Sequence, residues 1–353
     1  MTRLPLILTL VASACCNFAA CTNRQSETER RLVRRDSVLT EDVYYNRAYW
    51  IISDMLSGKA PLSLKKAVFA YEWAYSEGKL NYEDYDKEIT ETAQRLQRFI
   101  KKKGVSHLKT AGNYALFEYF TKPSELNGNK AFEYDFEDPH GKEDQTKQFV
   151  TKLMQTHTGQ CHSLPLLYKI LADEMKTEAY IAYAPLHSYI KHRDEIGEWV
   201  NVELTTGRVV ADEFYISTYD VTTDDIRNRI YMDTISLHKT IADCLVSMAF
   251  GYKEIYGVED PFLLDCYNAV LKHYPNDINA LKGVYAYTRA IDKRYYVNHD
   301  KRNLEYVKTF IEIDRKLDSM HYKDMTPELY QELSDAVEAY HRRILKERKE
   351  TKK

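Results

Sequence analysis

A chain of 353 residues with 50 Lys and Arg against 53 Asp and Glu, a net charge of −3, lacks the basic excess of a protein that grips phosphate backbones, so nucleic-acid binding is not expected. Only 12 Gly and 9 Pro, with abundant Glu, Lys, Leu and Ala, favour helices over a sandwich of short strands, and the length suffices for two or three domains. Tyrosine is unusually frequent at 29 copies and reads first as half-buried helix faces.

In chain order, Thr2 and Arg3 lead into an almost wholly apolar or small run, Leu4 to Ala20, which stops at Cys21 ahead of polar Thr22, Asn23, Arg24 and Gln25. The run is short for a bilayer span and ends in small residues, the pattern of a cleaved secretory signal over 1–20. Phe18-Ala19-Ala20-Cys21 resembles a bacterial lipobox, with Ala12-Ser13-Ala14-Cys15 as a competing candidate. A lipobox at Cys21 implies an acylated first residue, a solvated tether over 21–40 and a lipid-anchored protein of the bacterial cell envelope, periplasmic or at the outer-membrane surface. Cys161, Cys244 and Cys266 then remain as thiols, an odd set that argues against a disulfide scaffold.

Residues 41–130 carry a helical period, with apolar residues three and four apart from Val43 to Lys103 and a start at Pro61-Leu62-Ser63. Lys101-Lys102-Lys103-Gly104 reads as a helix C-terminus. The acidic stretch 132–144 offers Asp135, Asp138 and Asp144, but in no calcium-loop spacing, so it is expected to be a solvated loop. Strand signals occupy the middle of the chain, at Ala179 to Ala184, Ser188 to Lys191, Trp199 to Leu204 and Arg208 to Val210, and define an α+β unit over 131–222. Over 223–345 the helical period returns, with Tyr274-Pro275-Asn276-Asp277 between two runs and Asp277 placed to cap the second. This helix pair resembles a tetratricopeptide unit, which implies a docking role for a protein partner. The charged residues 346–353 read as a tail.

Within the middle unit, Cys161 stands just ahead of Leu164, Leu167, Leu171 and Met175, an apolar stripe at helical spacing, with Pro165 tolerated in the first turn. A thiol at a helix N-terminus meets unpaired N–H groups and the positive end of the helix dipole, both of which favour the thiolate. Gly159 is expected to permit a sharp turn into the helix. A base is available at His187, and Pro185 marks that stretch as an edge strand or an irregular strand entrance, with the imidazole projecting at its rim. Trp199, Asn201 and Glu203 alternate with Val200 and Val202 and share one strand face, so either Asn201 or Glu203 can fix the second nitrogen of His187. His162 adjoins the thiol but faces away from it on a helix, and Cys161, His162, His187 and His192 lack the short-spaced ligand pair of a zinc site. No metal or cofactor is expected.

Gly159-Gln160-Cys161 before a helix, His187 on a strand and Trp199-Val200-Asn201-Val202-Glu203 on the next resemble the transglutaminase-like core, a branch of the papain-like cysteine enzymes. The resemblance spans about Asp144 to Asp212, with Glu203 where the family places aspartate. It implies a Cys-bearing helix packed on a small antiparallel sheet and catalysis by Cys161, His187 and Glu203 or Asn201. It further implies an oxyanion site to which Gln155 or Gln160 contributes, and attack on amide bonds as a cysteine hydrolase or acyltransferase. With the signal and the helical flanks, the chain resembles secreted Bacteroidetes-type lipoproteins of this kind. The expected partners are a peptide or protein substrate, peptidoglycan stem peptides included, and the membrane through the N-terminal lipid. The alternative is an inactive transglutaminase-like scaffold that binds protein or glycan at the envelope.

Overall fold

The computed structural model describes residues 39 to 350 apart from 140 and 142. The signal over 1–20, Cys21, nearly all of the tether and the last three residues of the tail lie outside the described residues.

The N-terminal period forms three helices, α1 (Val43–Leu56), α2 (Leu64–Tyr75) and α3 (Tyr82–Lys103), followed by α4 (Ala111–Thr121). Side-chain caps fix their starts: the carboxylate of Asp42 accepts from the N–H groups of Tyr44 and Tyr45, the hydroxyl of Ser63 from Lys66, and Asn81 from Glu83 and Asp84. The basic last turn of α3 ends at Gly104 in the left-handed conformation, φ 71°, where a side chain would be strained.

Next comes a short parallel ladder between β1 (Glu133–Tyr134) and β2 (Thr158–Gly159), with α5 (Val150–Thr156) between them and α6 (Ser163–Glu174) after them. Every residue of α6 from Ser163 to Ala172 is buried. The helix is therefore a central rod rather than the one-sided helix its leucine stripe suggests. It packs on α3, α4, α5 and the inner strands of a five-stranded antiparallel sheet.

That sheet contains β3 (Tyr180–Ala184), β4 (His187–Arg193), β5 (Trp199–Glu203), β6 (Arg208–Val210) and β7 (Thr234–Ile235), in the order β6-β5-β4-β3-β7. Of the two alternatives for the Pro185 stretch, the edge strand fails. Pro185 and Leu186 form a two-residue hairpin between β3 and β4, with Ala184 opposite His187, and both strands are internal. His187 reaches the rim because it begins its strand. Ile190 pairs with Val202 and joins the large core with α6, whereas His187, Tyr189, Asn201 and Glu203 occupy the opposite face. A helix not foreseen from the sequence, α7 (Asp212–Tyr219), covers that second face, its Tyr215 ring stacked 3.7 Å from that of Tyr189.

After the short α8 (Thr223–Arg227), the chain continues through α9 (Leu237–Tyr256), α10 (Pro261–His273), α11 (Ile278–His299), α12 (Leu304–Ser319) and α13 (Pro327–Glu350). From α9 to α12 each helix packs on its neighbour in sequence. Asp277 caps α11 through the Ala280 N–H, as the sequence suggests. One continuous apolar core runs from α1 through α6 and one face of the sheet to Ile313 of α12, and α9 seals the N-terminal helices through edge-on rings such as Tyr45 against Tyr252 at 4.9 Å. The architecture is α+β and mostly helical, with a small antiparallel sheet. Among the described residues no helix is long and apolar enough to cross a membrane.

Candidate active site

Cys161 sits two residues ahead of α6, half-buried, with its Sγ 3.9 Å from the carbonyl oxygen of Leu186 in the β3–β4 hairpin. Its approach is set by close packing. A Cβ on Gly159 would meet the Ser163 hydroxyl at 2.6 Å and a Leu153 methyl at 2.8 Å. Gly159 is absent from the residues with positive φ, so it answers to crowding rather than to the sharp turn expected of it. The Ser163 hydroxyl in turn accepts the N–H of Gln160 at 3.1 Å, which holds the residue before the cysteine at the helix mouth.

His187 is buried beside this thiol. Its Nε2 lies 2.6 Å from Glu203 Oε2, so Nδ1 is the ring nitrogen left for Cys161. The Cys161 sulfur is close enough to influence the ring's proton balance by hydrogen bonding and by charge. Tyr219 stacks on the imidazole at 4.9 Å and 16°. Burial disfavours a charged ring, but the Glu203 carboxylate and the hydrogen bonds that the ring donates toward Cys161 and Glu203 outweigh it, raising the His187 pKa to about 10. The balance favours the charged form of the ring.

Glu203 is 1% exposed and fully engaged. One oxygen accepts from the N–H and hydroxyl of Thr205 at 2.9 and 2.6 Å, and the other from His187 and the Tyr215 hydroxyl, the latter at 3.1 Å. Burial raises its pKa, yet the His187 charge and these donors act more strongly and the net shift is downward. The pair is therefore a buried ion pair whose remaining lone pairs are satisfied, the condition under which such a pair is tolerated.

The other residues singled out from the sequence are placed elsewhere. Asn201 shares the face of Glu203 but lies opposite Lys191, where its Nδ2 donates to Asp212 Oδ1 at 2.7 Å and to the Val210 carbonyl. Gln155 is exposed, in a surface hollow with Glu88, Arg95 and His157. Gln160 is buried and its Nε2 donates to the Asp138 carbonyl at 2.6 Å. The Gln160 amide is thus engaged with the acidic stretch, and Gln155 lies at the surface. His157 hydrogen-bonds the Lys130 carbonyl and stacks on Phe132, while His162 meets only the Tyr71 hydroxyl, at 3.5 Å, and burial lowers its pKa to about 4. Trp199 lies at the surface beneath the Arg193 guanidinium.

Two groups near the thiol escaped the sequence reading. Tyr134, in the acidic stretch read as a loop, is brought near Cys161 because β1 pairs with β2, and burial pushes its pKa up. Tyr215 and Tyr219, four apart on α7, flank Glu203 and His187. Their helical spacing was the available signal. In the acidic stretch, Asp135 and Asp138 accept backbone N–H groups and Asp144 caps a short helical turn. Among the described residues no group of three or more His, Cys, Asp or Glu side chains is placed to hold a metal ion. Cys244 and Cys266 are free and buried, and burial pushes both thiols well above their ordinary pKa.

No protein-family model, curated protein or solved structure matches the chain.

Proposed function

We propose that the protein is a cysteine-dependent acyl-transfer enzyme of transglutaminase-like, papain-like type, acting on amide bonds of peptides or proteins. The observation that carries this reading is His187, hydrogen-bonded to Glu203 at 2.6 Å and near enough to Cys161 for the thiol to favour its charged form. In the proposed cycle the Cys161 thiolate attacks the amide carbonyl, a C–S bond forms and the carbonyl π electrons move to oxygen. Collapse of that intermediate breaks the C–N bond, the leaving nitrogen takes the proton of His187, and a thioester remains. Neutral His187 then removes a proton from water as water attacks the thioester; the C–S bond breaks, the carboxylic acid departs, and thiolate and imidazolium are restored. Glu203 keeps the ring in one orientation and stabilises its charged form without taking a proton itself. Hydrolysis is favoured over transfer to an amine because the thiol is half-exposed to water. With a lipidated Cys21, the enzyme would work at the cell envelope, on substrates that include peptidoglycan stem peptides.

The test is capture by an electrophilic peptide ketone. Labelling at Cys161 in the wild type and its loss in His187→Ala are expected; equal labelling of the two proteins would overturn the reading. The exposure of Gln155 and the bond of the Gln160 amide to the Asp138 carbonyl favour a second reading, a scaffold that binds protein or glycan without turnover. In that case Cys161→Ala would retain the cellular phenotype.

A further inference from the structure

The backbone of Cys161 carries a defect that one side chain repairs. At the start of α6 the i to i−4 hydrogen bonds run from the Leu164 N–H to the Gln160 carbonyl at 3.0 Å and from the Leu166 N–H to the His162 carbonyl at 3.4 Å. Between them the corresponding donor to the Cys161 carbonyl would be residue 165, which is proline and has no N–H. The Ser188 hydroxyl donates to that carbonyl instead. Ser188 is 8% exposed and immediately follows His187 on β4.

We infer that Ser188 is a positioning residue that fastens the backbone of the nucleophile to the strand bearing the base, a role created by the missing N–H of Pro165. Proline leaves a one-bond gap in the helical ladder at Cys161, and the vacant acceptor is handed to a neighbour of His187. Thiol and imidazole therefore share one anchor and move together. A dyad of this kind depends on sub-ångström placement, so a single hydroxyl next to both partners matters more than its position outside the reacting groups suggests. This role rests on the cysteine-enzyme reading for its consequence, but the hydrogen bond itself does not.

The test pairs Ser188→Ala with Pro165→Ala, since alanine at 165 restores an N–H that can reach the same carbonyl. Two readouts are taken on the full chain: the urea unfolding midpoint and the rate of Cys161 alkylation by iodoacetamide at pH 6. Ser188→Ala is expected to lower the midpoint and to slow alkylation about tenfold, the scale of a misplaced catalytic partner. Pro165→Ala in the Ser188→Ala background should restore most of the midpoint, because the Cys161 carbonyl regains a donor, but not the alkylation rate, because that donor lies within α6 and makes no link to β4; each is compared with Pro165→Ala alone to remove the effect of proline on the unfolded chain. A midpoint that Pro165→Ala does not restore would overturn the repair of the vacant carbonyl, and an alkylation rate that it restores would overturn the tether. A restored midpoint with alkylation unchanged throughout would overturn the positioning role and keep the bond as a structural one. A wild-type Cys161 that reacts no faster at pH 6 than Cys161 in His187→Ala would instead overturn the cysteine-enzyme reading, and the midpoints would still decide the hydrogen bond.

Discussion

At the residue scale the site is governed by opposing effects on two buried groups. Desolvation works against charge on both His187 and Glu203, and their mutual attraction at 2.6 Å overrides it for both. Glu203→Gln keeps the shape but removes the charge, so the ring loses the strongest influence opposing burial and shifts toward the neutral form. The expected cost is about 3 kcal/mol of stability at pH 7, the scale for breaking a buried pair, measured by urea unfolding. The sign of the His187 contribution follows from its raised pKa: it is complete below about 6.5, the unfolded value, and fades as pH rises through about 10. His162 behaves in the opposite sense. Burial holds it neutral with a pKa lowered to about 4, so stability is lost as pH falls from about 6.5 toward 4. His162→Gln should flatten that acid limb by up to about 3 kcal/mol, seen as a smaller drop in urea midpoint between pH 7 and pH 4; an unchanged limb would show that the ring is accessible to protons. The choice between Asn201 and Glu203 was not legible in the sequence, because two residues apart on a strand share a face. Cross-strand register decides it, by setting Asn201 against Lys191 and carrying Glu203 to His187.

At the element scale, the helix on which the thiol is mounted explains both what was legible and what was not. Cys161 ahead of a leucine stripe marks the start of α6, and the caps at Ser63 and Asp277 mark two other helices, because these signals are local. Burial of α6 on all sides is set by the elements that close around it, which no single stretch contains. The pairing of β1 with β2 is likewise non-local, and with it the approach of Tyr134 to the thiol. Leu167→Ala in the middle of α6 should cost about 2–5 kcal/mol by urea unfolding, the range for truncating a core leucine that cannot be refilled. Gly159→Ala tests the crowded approach to the cysteine. Its new methyl must displace Ser163 or Leu153, so stability should drop by about 1–3 kcal/mol and Cys161 alkylation should slow with it. A neutral Gly159→Ala would mean that the β2–α6 junction is loose.

At the scale of the whole molecule, the N-terminal helices, one face of the sheet and the C-terminal helices as far as Ile313 of α12 share one continuous core. The helical period of each stretch was readable alone, but their union through rings such as Tyr45 and Tyr252 depends on contacts some 200 residues apart in sequence, beyond the reach of periodicity. Toward the end of the chain the core thins, and α12 buries only Phe310 and Ile313. Hydrogen exchange should accordingly be fastest in α12 and α13 and slowest in α6 and the central strands; equal protection throughout would contradict this gradient. What the core supports is a rigid frame for one thiol and one charged ring, and the pH dependence of Cys161 alkylation by iodoacetamide tests that claim most directly. The wild type should react about tenfold or more faster at pH 6 than Glu203→Gln, whose imidazole has lost the charge that supports a thiolate. Identical rates for the two proteins between pH 5 and pH 8 would contradict it.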